Sequence, residues 1–163
     1  MVCRMFRLET EVDSTRRDLL RSRLRDTNTT ASPVLRALRG TPAERETPLH
    51  VWAADADGGL AGGLVGHTWT AWLHVALLWV DERHRGSGLG SRLLGEAERV
   101  AVEERGCRHA RLETWDFQAP DFYRRLGYDV VCVIEDYPPG VTEYTLTKRL
   151  GEAEKSRPTP ISS

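Results

Sequence analysis

The sequence predicts an α/β protein with a mixed central sheet of six to seven strands and about four helices. Two observations lead to this fold class. Short apolar stretches of strand length alternate along the chain with stretches of helical periodicity. In the middle, the apolar stretch 72–80 runs directly into a glycine-rich turn and then into an amphipathic helix. A length of 163 residues, with 40% hydrophobic and 29% charged residues, fits one globular domain.

The first forty residues predict a strand followed by two helices. Residues 5–12 have strand character and end at Asp13 and Ser14, which suit a helix N-cap. The first helix continues to Arg25, residues 27–33 break the chain, and a short second helix stops at Gly40.

The rest of the chain predicts three strands, a helix, a strand, a helix and two final strands. One helix begins at Leu89 and stops at Gly106, and a short one spans residues 119–126 and ends at Gly127. The apolar stripe of the first helix consists of Leu89, Leu93, Leu94, Ala97, Val100 and Ala101. The strands are placed at 50–54, 60–68, 72–80, 108–115, 128–134 and 143–147. We expect residues 1–150 to form a single domain and residues 151–163 to be a disordered tail.

Composition excludes several classes of protein and site. A formal net charge of −1 does not favour a nucleic-acid partner. Three scattered cysteines, Cys3, Cys107 and Cys132, give neither a disulfide framework nor a metal-binding pair, so no metal is expected. Cys107 and Cys132 are expected to be buried small hydrophobic residues. No apolar run approaches the roughly 18 residues of a membrane span. These observations predict a cytoplasmic protein with no membrane association, and the terminal strands offer an edge for a possible homodimer.

The glycine-rich turn Arg85-Gly86-Ser87-Gly88-Leu89-Gly90 is the strongest binding signal. Glycines allow close approach to the backbone, and the start of the following helix presents free N–H groups that suit a phosphate or pyrophosphate. The turn lacks the lysine of a P-loop and the third glycine of a dinucleotide fingerprint. A tight strand-to-helix turn without a ligand is the alternative interpretation.

This turn resembles the Arg/Gln-x-x-Gly-x-Gly/Ala signature of the GCN5-related N-acetyltransferases (GNAT), matched at Arg85, Gly88 and Gly90. Residues 122–128 resemble the family's Phe/Leu-Tyr-x-x-x-Gly-Phe/Tyr segment, and residues 78–84 its entry to the coenzyme loop. The elements are in the family's order over about residues 49–149. The resemblance implies a GNAT-like sheet splayed into a V, with acetyl-CoA as the acyl-donor cosubstrate and no metal.

The resemblance also implies which residues contact the coenzyme. The strand backbone would pair with the pantetheine arm, and the amides of residues 86–91 would hold the pyrophosphate. The full set is Leu78, Trp79, Val80, Arg85, Gly86, Ser87, Gly88, Leu89, Gly90, Ser91, Asp116 and Tyr123. Asp116 stands where the family often has asparagine. A backbone N–H near Trp79 or Val80, where the family's strand bulges, would polarise the thioester carbonyl.

Three residues are catalytic candidates. Tyr123 matches the family's tyrosine that donates a proton to the departing thiolate. His74 stands where many members carry a glutamate base, and histidine is competent in that role. Simple alternation puts His74 on one strand face with residues 76, 78 and 80, several residues from the reaction centre, so a water relay or a purely structural histidine are both open. Glu113 is the second candidate base.

The acceptor is predicted to be a small primary amine that attacks directly in a ternary complex. An antibiotic, an amino acid derivative and a polyamine all fit. Trp72, Trp115, Asp136 and Tyr137 are the candidate acceptor contacts. A protein N-terminus or lysine, or a non-catalytic coenzyme-binding domain, are the alternative functions.

Overall fold

The computed structural model describes residues 7–151, and the contacts within the chain divide it at Gly40 into two compact units. The predicted disordered tail lies outside the described residues from residue 152 onward, as does Cys3. The single domain of residues 1–150 therefore stays a prediction.

The N-terminal unit contains helices α1 (Ser14–Ala31) and α2 (Pro33–Leu38). The predicted break at 27–33 is wrong, since α1 continues to Ala31. The side chains of Thr29 and Thr30 donate hydrogen bonds to carbonyls four residues earlier instead of forming a turn. The true boundary is Ser32, which ends α1 and caps α2 by accepting from the N–H of Leu35.

The predicted strand at 5–12 is also wrong over the part that the structure describes. Residues 7–12 have no regular secondary structure. Leu8 and Val12 are fully exposed, so the strand-like composition is not matched by a neighbouring strand or an apolar surface.

The C-terminal unit is built on a six-stranded mixed sheet, as the fold class predicted. Its strands lie in the order β1-β2-β3-β4-β6-β5. They comprise β1 (Thr47–Ala54), β2 (Leu60–Trp69), β3 (Trp72–Val80), β4 (His109–Trp115), β5 (Asp129–Ile134) and β6 (Glu143–Arg149). The β3–β4 pair is parallel, and the other four pairs are antiparallel.

Helix α3 (Leu89–Glu103) covers one face of this sheet and closes the core. Its buried side chains are those of Leu93, Leu94, Ala97 and Ala101, the stripe that the helical periodicity predicted. They pack in one cluster with Leu64 and Leu73 of the sheet. The short helix α4 (Pro120–Arg125) adds Phe122 and Tyr123 to the rim of that cluster.

Strands β3 and β4 separate halfway along their length, and this separation creates the cleft of the protein. They pair only where residues 72–75 lie beside residues 109–112. Beyond that point the β4-facing edge of β3 has no partner strand among the described residues, while its other edge stays paired with β2 up to Val80. The V-shaped sheet expected from the resemblance is confirmed.

A β-bulge lies where the strands separate. Val65 of β2 pairs with Leu77 and Gly66 with Val75, which leaves Ala76 as an extra residue on β3. Two expectations are corrected by this bulge. First, the bulge lies at Ala76 and not near Trp79 or Val80. Second, it breaks the alternation of side chains along β3. His74 therefore does not share a face with Leu78 and Val80, which pack towards the core.

In the part of the chain that the structure describes, β1 and β5 form the two edges of the sheet. Strand β5 is largely exposed, including Val131, Val133 and Cys132, whereas Cys107 is buried. Burial of Cys132 was expected and is wrong. A homodimer through a strand edge stays a prediction.

Candidate active site

A cleft of about 910 Å³ opens between the separated ends of β3 and β4. It lies entirely within the C-terminal unit. Strand β3 supplies one wall, β4 and the loop before α4 supply the other, and the glycine-rich turn closes one end. Eleven of the residues predicted to act at the site line this cleft, namely Leu78, Trp79, Val80, Arg85, Gly86, Gly88, Leu89, Gly90, Ser91, Glu113 and Tyr123.

The turn between β3 and α3 is held in shape by its own side chains. Asp81 accepts hydrogen bonds from the backbone and guanidinium N–H groups of Arg83. These bonds lower the pKa of the Asp81 carboxyl to about 2, so it stays ionised at neutral pH. Ser87 does not line the cleft, because its hydroxyl donates a 2.6 Å hydrogen bond to the carbonyl of His84 within the turn.

The first residues of α3 present polar groups that a bound anion would satisfy. Gly88 is the N-cap with φ of +80°, a conformation that favours glycine, and it offers no side-chain cap to the free N–H groups that follow. His84 lines the same end of the cleft, and its Nε2 is buried and has no hydrogen-bond partner within residues 7–151. Arg85 lies beside them, with its Nε donating to the carbonyl of Val80 and its guanidinium 3.6 Å from Glu82. Together these groups fit the pyrophosphate of a coenzyme.

Tyr123 lies on α4 and faces the cleft opposite β3. Its ring packs edge-on against Phe122 at 5.0 Å and Tyr128 at 6.0 Å between centroids. Burial raises the pKa of the Tyr123 hydroxyl above its ordinary value, so the group keeps its proton at neutral pH. The arrangement makes Tyr123 a proton or hydrogen-bond donor within the cleft.

The two candidate bases are hydrogen-bonded to each other across the base of the V. His74 Nε2 on β3 lies 2.8 Å from Glu113 Oε2 on β4, and the other carboxylate oxygen accepts from Arg111. Partial burial raises the pKa of Glu113, but the hydrogen bonds from Arg111 and His74 outweigh it and lower the pKa overall. Glu113 lines the cleft, whereas His74 lies behind it with its ring 4.9 Å from that of His67.

Gln118 is a cleft residue that the sequence analysis missed. Its Oε1 accepts hydrogen bonds from the hydroxyl of Thr114 and the N–H of Trp115, both at 3.1 Å. Because Oε1 already accepts two hydrogen bonds within the protein, the NH₂ group of the amide is the part of Gln118 that can donate to a ligand at the cleft wall. The sequence signal that could have pointed to Gln118 is its polar side chain shortly after the predicted strand 108–115. His84, Phe117, Phe122 and Arg125 also line the cleft and were not predicted.

Asp116 does not line the cleft. One carboxylate oxygen accepts from the N–H of Phe117 and the other from the N–H of Thr142, while the Asp116 N–H donates to the carbonyl of Thr142. The side chain thus fastens the end of β4 to the segment before β6. Its contact with the coenzyme stays a prediction.

The four predicted acceptor contacts lie outside the cleft lining. Trp72 stacks on His109 at 4.5 Å where β3 and β4 still pair, and Trp115 packs against Phe117 at 5.5 Å. Asp136 accepts a hydrogen bond from the N–H of Gly140 in the turn between β5 and β6, beside the exposed Tyr137. The structure does not bring these four together, and their role stays a prediction.

Comparison with known proteins gives consistent matches. Residues 12–128 match the model of the Acetyltransferase (GNAT) family. The blasticidin-S acetyltransferase of Streptomyces morookaense is 56% identical over 131 residues, which are 78% of this chain and 96% of that protein. A crystal structure of an acetyltransferase from Bacillus cereus superimposes with a TM-score of 0.75 at 30% identity, covering 88% of this chain and 98% of the other.

A nourseothricin acetyltransferase structure superimposes with a TM-score of 0.57 at 30% identity, covering 64% of this chain and 66% of the other. Among residues 7–151, no helix is long and apolar enough to cross a membrane. The same residues contain no cluster of histidine, cysteine and acidic side chains that would hold a metal ion.

Proposed function

Because the chain belongs to the GNAT acetyltransferase family and is an N-acetyltransferase, we propose that it transfers the acetyl group of acetyl-CoA to a primary amine of a small-molecule antibiotic. The observation that carries the proposal is the cleft between β3 and β4. It has a glycine-rich turn suited to phosphate at one end and the ionised carboxylate of Glu113 on its β4 wall. Acetyl-CoA, when bound, supplies the acetyl group as a thioester.

The turn and the start of α3 hold the coenzyme in this proposal. The backbone N–H groups of residues 88–91 and the guanidinium of Arg85 bind the pyrophosphate. The edge of β3 beyond Val75 offers backbone groups to the pantetheine arm, because none of the described strands pairs with that edge. Gln118 offers its amide NH₂ from the opposite wall.

Glu113 and His74 receive the proton of the acceptor amine. The ionised carboxylate of Glu113 attracts the ammonium form into the cleft, where partial burial strengthens the attraction. The imidazole of His74 is oriented by its 2.8 Å hydrogen bond to Glu113 and is placed to share the proton with that carboxylate. Arg111 fixes the carboxylate from the other side.

Tyr123 acts on the departing sulfur. As the nitrogen–carbon bond forms and the carbon–sulfur bond breaks, the Tyr123 hydroxyl donates a hydrogen bond and a proton towards the thiolate. Its retained proton, favoured by burial, suits this task. A functional donor in the cleft also favours an enzyme over a coenzyme-binding domain without activity.

The choice of an antibiotic amine rests on the relatives. The Streptomyces morookaense protein is named for blasticidin S, and its match covers 96% of that protein. The experiment is thiol release from acetyl-CoA in the presence of blasticidin S, nourseothricin or lysine-containing and N-terminal peptides. We expect turnover with at least one antibiotic and none with the peptides. Turnover confined to peptides would contradict the proposed acceptor, and no thermal stabilisation by acetyl-CoA would contradict the donor.

A further inference from the structure

The face of the sheet opposite α3 carries two tryptophans that the core does not use. Trp52 of β1, Gly63 of β2 and Trp79 of β3 lie in register across three strands. The adjacent row, with Leu64 and Leu78, packs towards the core, so the tryptophan row faces the other way. Trp52 is 58% exposed and Trp79 is 48% exposed. Neither indole is needed to fill the interior.

Gly63 is the residue that lets the Trp52 ring lie over strand β2 on the side of Trp79. A Cβ at this position would lie 2.5 Å from Cε3 and 2.7 Å from Cζ3 of Trp52, so the Trp52 ring covers the glycine. Trp79 stands on the other side of the same glycine. We call Trp52, Gly63 and Trp79 the indole shelf.

The indole shelf is continuous with the cleft. Trp79 and Leu77 both line it, and Leu77 is 64% exposed. Because of the bulge at Ala76, Leu77 and Trp79 share the outward face with His74, whose ring is bonded to Glu113. Trp79 and His74 pair with residues of β2 that are four positions apart, Gly63 and His67. This corresponds to a separation of about 13 Å along the strand. One small molecule can therefore contact the indole shelf and place an amine near Glu113.

We infer that the indole shelf binds a planar ring of the acceptor, so that the substrate class is an amine with a flat ring several bonds away. Aromatic faces favour stacking with flat rings, and exposed apolar surface next to a cleft commonly binds ligand. The carboxylate of Glu113 complements the charge of the amine end. The inference rests on the proposed function, because it assigns the acceptor half of the same site.

The test uses 8-phenyloctylamine and 8-cyclohexyloctylamine, which differ in the flatness of the ring and share an aminooctyl chain long enough to span the roughly 13 Å between Trp79 and His74. Their dissociation constants are measured by calorimetry on CoA-saturated protein, where no turnover occurs. We expect the wild type to bind the planar amine about fivefold or more tightly than the saturated one. Trp52→Ala and Trp52→Leu should bring the two constants within about twofold of each other. Trp69→Phe, at the similarly exposed far end of β2, should keep the preference.

Equal binding of the two amines by the wild type, or binding of neither, would overturn the inference. A preference that survives both Trp52 variants would do the same. A wild-type dimer that Trp52→Ala dissociates in sedimentation would assign the indole shelf to a second copy of the chain. The CoA dissociation constant of each variant serves as the folding control, and failure of the wild type to bind CoA would contradict the proposed function instead.

Discussion

Replacement of Tyr123 by phenylalanine tests the chemistry of the cleft most directly. The variant keeps the ring contacts with Phe122 and Tyr128 and removes only the hydroxyl. A hydrogen bond to a charged group contributes about 1.5–3 kcal/mol. If Tyr123 makes such a bond to the departing thiolate, kcat should fall about 10- to 150-fold. A complete loss is not expected, because a thiol with a pKa near 8.5 is already a fair leaving group.

The assay is the initial rate of thiol release at saturating acetyl-CoA, with the acetyl-CoA dissociation constant measured by calorimetry alongside it. Tyr144→Phe is the matched control, since Tyr144 lies on β6, packs against the core and does not line the cleft. It should leave kcat and affinity unchanged. The assignment of Tyr123 would be refuted by a Tyr123→Phe variant with wild-type kcat, or by one that loses only coenzyme affinity.

Three further predictions concern the turn, the base and the alkaline stability. Gly88→Val should weaken acetyl-CoA binding in calorimetry, whereas Gly58→Val, which carries the same φ of +80° in another turn, should cost similar stability and leave the affinity unchanged. Glu113→Gln should lower kcat/KM for the amine by about tenfold or more with coenzyme affinity retained; an unaltered kcat/KM would exclude Glu113 from the chemistry. Burial and the Glu98 carboxylate raise the pKa of Tyr128 in the folded state, so above about pH 10 the unfolded chain loses a proton that the folded chain keeps. The free energy of unfolding should then fall by about 1.4 kcal/mol per pH unit because of this group. In Tyr128→Phe, unfolding free energies from urea titrations at pH 10–11 should fall less steeply with pH than in the wild type.

Local patterns predicted the parts of the protein that local chemistry determines. The stripe of Leu93, Leu94, Ala97 and Ala101 has the period of a helix, and the structure buries those residues. The turn at Gly86 and Gly88 requires positive φ, which few other residues adopt, so it was visible in the sequence.

The parts that could not be predicted depend on which distant segments become neighbours. His74 and Glu113 are 39 residues apart in the chain and meet only because β3 and β4 pair at residues 72–75 and 109–112. The hydrogen bond that Asp116 accepts comes from the N–H of Thr142, and one that Gln118 accepts comes from the N–H of Trp115 at the end of β4. The bulge at Ala76 has no glycine or proline on β3 itself, and its glycine, Gly66, lies on the partner strand, so alternation along β3 placed His74 on the wrong face.

The unpaired Ala76 changes which kinds of mutation β3 can tolerate. Before it, even-numbered residues such as His74 face outward; after it, odd-numbered residues such as Leu77 and Trp79 do. Deletion of this one small, exposed residue would make Val75 and Leu77 consecutive, and both would keep the faces that they have now, because Ala76 is the residue without a partner on β2. The deletion would instead remove the bulge itself, at the place where β3 and β4 separate. At this position the length of the chain therefore determines the path of β3 along the cleft, and not which side chains face it.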